Sequence, residues 1–143
     1  MTDTEADRGG GQAAMHEVSA ALGGDLVAEP HAIGMLRRVM GDFARRHGAR
    51  PDLAARIELA VSEAATNVVR HAYVGREQGA IRFAADAEEH DLQVVIGDDG
   101  DGLRGDRGDG LGFGLRLIAS VTDDFAISAR AEGGLEVWMR FVR

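Results

Sequence analysis

Two pairs of short segments alternate apolar and polar residues, and each pair closes around a tight turn. Ile81, Phe83 and Ala85 are followed by Leu92, Val94 and Ile96 across a turn at Glu88 to Asp91. Phe125, Ile127 and Ala129 are followed by Leu135, Val137, Met139 and Phe141 across Glu132-Gly133-Gly134. Side chains two apart on a strand share a face, so each pair predicts an antiparallel hairpin with one apolar side. Such a sheet needs a layer of other structure laid against that side. The chain supplies one. Ile33, Leu36, Val39, Met40 and Phe43 recur at helical spacing from His31 to Arg46, ahead of Gly48. A second helix opens at Pro51-Asp52, buries Leu53, Ile57, Ala60, Val61, Ala64, Ala65 and Val68, and runs to about Tyr73 before Gly75.

Leu115 to Val121 predicts a third helix between the hairpins, and Asp25 to Glu29 an edge strand before Pro30. The order predicts an α+β fold, a two-layer α/β sandwich. Its mixed, mostly antiparallel sheet is covered by helices on one face. Residues 1–12 are polar and glycine-rich and read as a disordered tail. Ala13 to Leu22 reads as a short helix ended by Gly23-Gly24, within a single domain of residues 13–143.

Charge and composition narrow the function. Acidic residues outnumber basic ones 24 to 16, which argues against broad contact with a nucleic-acid backbone and suits a protein partner or a nucleotide. The absence of cysteine excludes disulfides and thiolate metal sites. No apolar run approaches a membrane span, and Met1-Thr2-Asp3-Thr4-Glu5 lacks the build of a signal peptide, so a cytoplasmic protein is expected. The histidines at 16, 31, 47, 71 and 90 show no metal spacing.

Three stretches can carry chemistry. Glu63 and Asn67 are one helical turn apart on one face. A carboxylate there can take a proton from an attacking hydroxyl, and a carboxamide oxygen is a hard ligand for magnesium. A solvated helix face explains the same pair. Asp98-Asp99-Gly100-Asp101-Gly102 follows the strand Leu92 to Ile96. Its first carboxylate can accept from an exocyclic amine, and glycines let the backbone approach a base closely; an ordinary surface turn has the same composition. Gly110, Gly112 and Gly114 precede Leu115, where free N–H groups and the dipole of a helix favour phosphate.

Other patterns fail. Gly100-x-Gly102-x-x-Gly105 matches a dinucleotide fingerprint, but Arg104 to Asp109 is expected to be unable to open the required helix. The acidic residues from Asp98 to Asp109 lack the final glutamate of a calcium loop.

Taken together, Glu63-x-x-x-Asn67, Asp98-x-Gly100-x-Gly102 and Gly112-x-Gly114 occur in the order seen in the GHKL (Bergerat-fold, histidine-kinase-like) ATPases. Ser62-Glu63-Ala64-Ala65-Thr66-Asn67-Val68-Val69-Arg70-His71-Ala72-Tyr73 resembles the signature helix of one branch, the anti-sigma-factor serine/threonine kinases. Gly112-Phe113-Gly114-Leu115-Arg116-Leu117-Ile118 resembles their glycine loop and following helix. The resemblance implies ATP and Mg²⁺ as cofactors, Glu63 as general base, Asn67 as the metal ligand and Asp98 as the reader of the adenine amine. It places Gly100, Gly102, Gly112, Phe113, Gly114 and Leu115 around the nucleotide, with Arg70 within reach of a phosphate and Arg107 as a shifted substitute for a family arginine. His71 shares the face of Asn67; packing or capping is its simpler role, and the ATP site is the alternative.

The resemblance further implies phosphorylation of a serine on a STAS-type anti-anti-sigma protein, sequestration of a sigma factor, partner contacts at Arg37 or Arg38, and a homodimer. Three departures bear on turnover. The lid from Leu103 to Leu111 is short, Asp109-Gly110 replaces an arginine, and Leu135 stands where the family has threonine. The short lid and Leu135 favour an alternative, a catalytically weak ATP-binding module that sequesters a partner without phosphorylating it. The ATP-binding domain of a histidine kinase is a poorer reading, because no helix with a phosphoacceptor histidine comes before it.

Overall fold

The computed structural model describes residues 21–100 and 108–143, those of 108–113 as backbone only. The tail and residues 13–20 of the helix expected over Ala13 to Leu22 lie outside the described residues, as do Gly102 and Arg107, while Leu22 itself is in a strand. Five strands, β1 (Leu22–Val27), β2 (Ala80–Ala87), β3 (Asp91–Asp98), β4 (Asp124–Ala129) and β5 (Leu135–Val142), form one sheet in the order β1-β2-β3-β5-β4. Every pairing is antiparallel, so the sheet expected to be mostly antiparallel is wholly so. Three helices, α1 (Pro30–Arg46), α2 (Pro51–Asn67) and α3 (Gly108–Val121), complete the second layer. A π-helical turn, Val68–Ala72, prolongs α2 to Tyr73.

Both expected hairpins form, β2 with β3 and β4 with β5. Their inward residues Ile81, Leu92, Val94, Ile96, Met139 and Phe141 are buried in one cluster with Leu36, Met40, Ile57, Val61 and Ile118 from the helices. Proline opens both α1 and α2, at positions whose N–H groups have no partner within the helix. Gly48 and Gly75 end the two helical runs at positive φ, 85° and 73°, a conformation that side chains with a Cβ resist.

Two expectations change. Gly23 and Gly24 do not end a helix; they sit inside β1, paired with Ala84 and Phe83. The ring of Phe83 comes within 3.2 Å of where a Cβ on Gly24 would lie, so the aromatic covers the gap that the glycine leaves on the inner face. The third helix starts at Gly108, seven residues earlier than Leu115, and includes Asp109 and the glycines expected to form a loop. Packing of Ile118 and Gly114 against α2 outweighs the poor helix propensity of glycine.

The turn between β4 and β5 is built from Gly133 and Gly134, both at positive φ of about 100°. A Cβ on Gly134 would fall 2.0 Å from the Asp98 carbonyl oxygen. Gly134→Ala is therefore expected to cost at least about 2 kcal/mol from backbone strain and overpacking. Urea unfolding should show a lower midpoint with an unchanged slope. An unaltered midpoint would mean that this contact does not constrain the hairpin.

Candidate functional site

Asp98 lies two residues beyond Ile96, so the alternation of β3 carries it to the inner face. It is the one buried charged residue among the described residues, 3% exposed. Its carboxylate accepts hydrogen bonds from the Gly100 N–H at 2.9 Å and from the Leu135 N–H. Burial outweighs these donors and raises its pKa above the usual carboxylate value.

Asp99 behaves in the opposite way. Arg82 donates to both its oxygens at 3.0 and 3.1 Å, and Arg130 donates to one at 2.5 Å. The Arg82 hydrogen bonds hold this carboxyl below the ordinary range. Adjacent aspartates thus have different work: one faces inward and dry, the other ties two strands at the surface.

From the helical layer, α2 projects Glu63 and Asn67 one turn apart. Both converge on Gly114 of α3. A Cβ at Gly114 would lie 3.1 Å from Asn67 Nδ2, 3.2 Å from its Oδ1 and 3.4 Å from Glu63 Oε1. Glycine lets the α3 backbone pass directly over the two polar groups. Asn67, His71 and Asp98 line one cleft, with Ala64, Ile96, Leu115, Leu135 and Val137 as its main apolar walls. The three stretches singled out in the sequence meet here. The free space within it is about 20 Å³, room for about one water.

Other expected residues stand apart from this cleft. Arg70 is exposed and does not line it. The space left by glycine at Gly100 is not open to the cleft. A Cβ there would lie 2.0 Å from the Ala72 carbonyl oxygen, so this glycine seats the end of β3 on the end of the helical run. Gly112 and Phe113 lie within the first half of α3 as backbone only, which puts the free N–H groups of the helix at Gly108 to Leu111 instead of at Leu115.

Several contributors were legible in the sequence at most as apolar strand positions, not as parts of a site. Ile127 and Val137 line the cleft because β4 and β5 face inward at those positions. Arg82 and Arg130 are 48 residues apart in sequence and meet only through Asp99. Tyr73 was legible as part of the signature helix, not as a hydrogen-bonding group.

A sequence profile described as the histidine kinase-like ATPase domain matches residues 26–141. The chain belongs to that family. Its relatives include the serine-protein kinase RsbW of Bacillus velezensis, 30% identical over 112 residues, which are 78% of this chain and 66% of the relative. RsbW of Oceanobacillus iheyensis is 30% identical over 118 residues, 71% of this chain and 74% of the relative. The chain therefore spans about two thirds of the length of the curated relatives it matches.

Among solved structures, the RsbU and RsbW domains of Rv1364c from Mycobacterium tuberculosis superpose with a TM-score of 0.67 at 22% identity, over 84% of this chain and 31% of that one. The histidine kinase domain of Erythrobacter litoralis EL346 gives 0.55 at 21% identity, over 76% and 60%. Both share the fold of this histidine kinase-like ATPase domain.

The raised pKa of Asp98 contributes to the pH response of the domain, opposite in sign to the lowered values of Asp99 and Asp123. A carboxyl whose pKa is higher folded than unfolded favours folding below its unfolded pKa, and that contribution is lost as pH rises through the folded value. Asp98→Asn is neutral at every pH. It should match or exceed the wild type in urea stability at neutral pH, with the difference shrinking as the medium is acidified below about pH 4. A variant that loses stability steadily as pH rises, relative to wild type, would refute buried-carboxylate destabilisation.

Proposed function

We propose that this domain binds Mg-ATP in the cleft between α2 and β3 and transfers its terminal phosphoryl group to a serine or threonine of a STAS-type anti-anti-sigma partner, and that it sequesters a sigma factor. The convergence of Asn67, Asp98 and Leu115 on one cleft, from three distant stretches, carries this reading. Asp98 offers a carboxylate to the adenine amine, and the apolar walls Ile96, Leu135 and Val137 accept a flat base. Nucleotide entry requires the cleft to widen, since its free space admits about one water.

The donor set suits magnesium. No group of three His, Cys, Asp or Glu side chains that could hold a metal occurs among the described residues. Magnesium keeps several waters and takes one or two protein oxygens together with phosphate oxygens, and the Asn67 carboxamide supplies such an oxygen. Bound there, the ion would offset charge on the phosphates. Glu63 lies beside Asn67 and accepts the proton of the attacking hydroxyl. The hydroxyl oxygen bonds to the γ-phosphorus, the bond from that phosphorus to the bridging oxygen breaks, and ADP leaves. This chemistry asks mainly for positioning, which two helices and a strand end provide.

Arg37 and Arg38 project from α1 into solvent and are the proposed contacts to protein partners. No described helix is long and apolar enough to cross a membrane. A cytoplasmic location is part of the proposal. A second reading, an ATP-binding module with little transfer activity, draws support from Leu135, which presents no hydroxyl to the base end of the cleft.

Calorimetry with Mg-ATP should show binding to the wild type and at least about tenfold weaker binding to Asn67→Ala. Equal affinities would remove the metal assignment. With a phosphorylatable STAS partner, Glu63→Ala should slow transfer by about 10²–10⁴-fold while nucleotide binding persists. Transfer unchanged by Glu63→Ala would rule out the general base, and its absence in the wild type would favour the sequestering module.

A further inference from the structure

Tyr73 follows the π-helical turn and so stands at the end of the helical run that carries Glu63 and Asn67. Its hydroxyl accepts a hydrogen bond from the Asp99 N–H at 2.9 Å and donates one to the Ala80 carbonyl at 2.8 Å. One oxygen thereby joins the end of α2, the first residue of β2 and the turn after β3. Two glycines make its seat: a Cβ on Gly79 would come within 2.4 Å of the ring, and one on Gly100 within 3.0 Å.

The Asp99 N–H and the Asp98 carbonyl belong to the same peptide group. Tyr73 holds the N–H, and Arg130 Nη1 donates to the carbonyl at 3.3 Å. That peptide is clamped at both ends. Its plane fixes the backbone torsions on either side, and these set the direction in which the Asp98 carboxylate leaves the strand.

We propose that Tyr73 is a positioning residue for base recognition, its hydroxyl clamping the Asp98–Asp99 peptide so that the Asp98 carboxylate meets the exocyclic amine of a purine. The inference rests on the reading of Asp98 as the group that contacts adenine. Burial raises the Tyr73 pKa further above its ordinary value, so the phenol stays protonated and remains a donor to Ala80 at physiological pH.

The test compares ATP with purine riboside triphosphate, in which hydrogen replaces the adenine amine. Calorimetry with both, in magnesium, is applied to the full chain and to Tyr73→Phe, which keeps the ring. The wild type should prefer ATP. In the variant, ATP affinity should fall about tenfold while that for the amine-free analogue changes by less than about twofold. Equal losses for both nucleotides, or no loss, would show that Tyr73 serves folding alone and overturn the proposal with the adenine reading intact. A wild type without preference between the two would overturn the role of Asp98, and that of Tyr73 with it. If Tyr73→Phe does not fold, Arg130→Gln releases the other end of the same peptide and should produce the same selective loss; proportional losses would again refute the clamp.

Discussion

The register of β3 between β2 and β5 is the constraint on which the site depends. Ile96 faces Phe83 on one side and Val137 on the other, and this places Asp98 inward at the end of the strand. Side-chain facing has a period of two, so a slip of one residue would turn Asp98 to solvent and bring Gly97 to the cleft. Leu92, Val94 and Ile96 prevent the slip, because all three would leave the core with it. Burying hydrocarbon thus sets the place of a charged group, one that burial itself makes less acidic.

Around that carboxylate the molecule separates polarity by depth. Asp99, its neighbour, is drawn to the surface by Arg82 and Arg130. Partly exposed ion pairs of this kind add little stability, and their consequence is geometric: they set the direction of the chain as it leaves the sheet. Gly134 presses on the Asp98 carbonyl from the hairpin, and Gly100 on the Ala72 carbonyl from the turn. Backbone in contact with backbone admits no side chain, so these glycines act as close-packing residues more than as hinges.

The helical side of the cleft follows from small residues. Ala54, Ala60, Ala64 and Ala65 are buried along α2, which packs between α1 and α3. Short side chains let the helices approach closely, and at Gly114 the approach ends on Asn67 and Glu63. The polar pair therefore lies under α3, and Asn67 also lines the cleft, with Leu115 of α3 among its apolar walls.

The hairpins, two of the helices and the single apolar face were all readable from periodicity, since Leu92-Val94-Ile96 and Ile57-Val61-Ala64 repeat with the spacing of their elements. The candidate residues Glu63, Asn67 and Asp98 were readable as well, because each occupies a position that its own element fixes. The start of α3 was not readable. Glycines 108 to 114 argue against a helix locally, and only packing against α2 reverses that preference. The bonding of Tyr73 and the pairing of Arg82 with Arg130 were also invisible, since they join segments that meet only after the sheet has formed. Sequence alone determined which face of each element is apolar, because that depends on the spacing of neighbours along the chain. Tertiary structure decided how the Asp98 carboxylate is aimed and how tightly the cleft closes, because both depend on contacts between residues far apart in the chain.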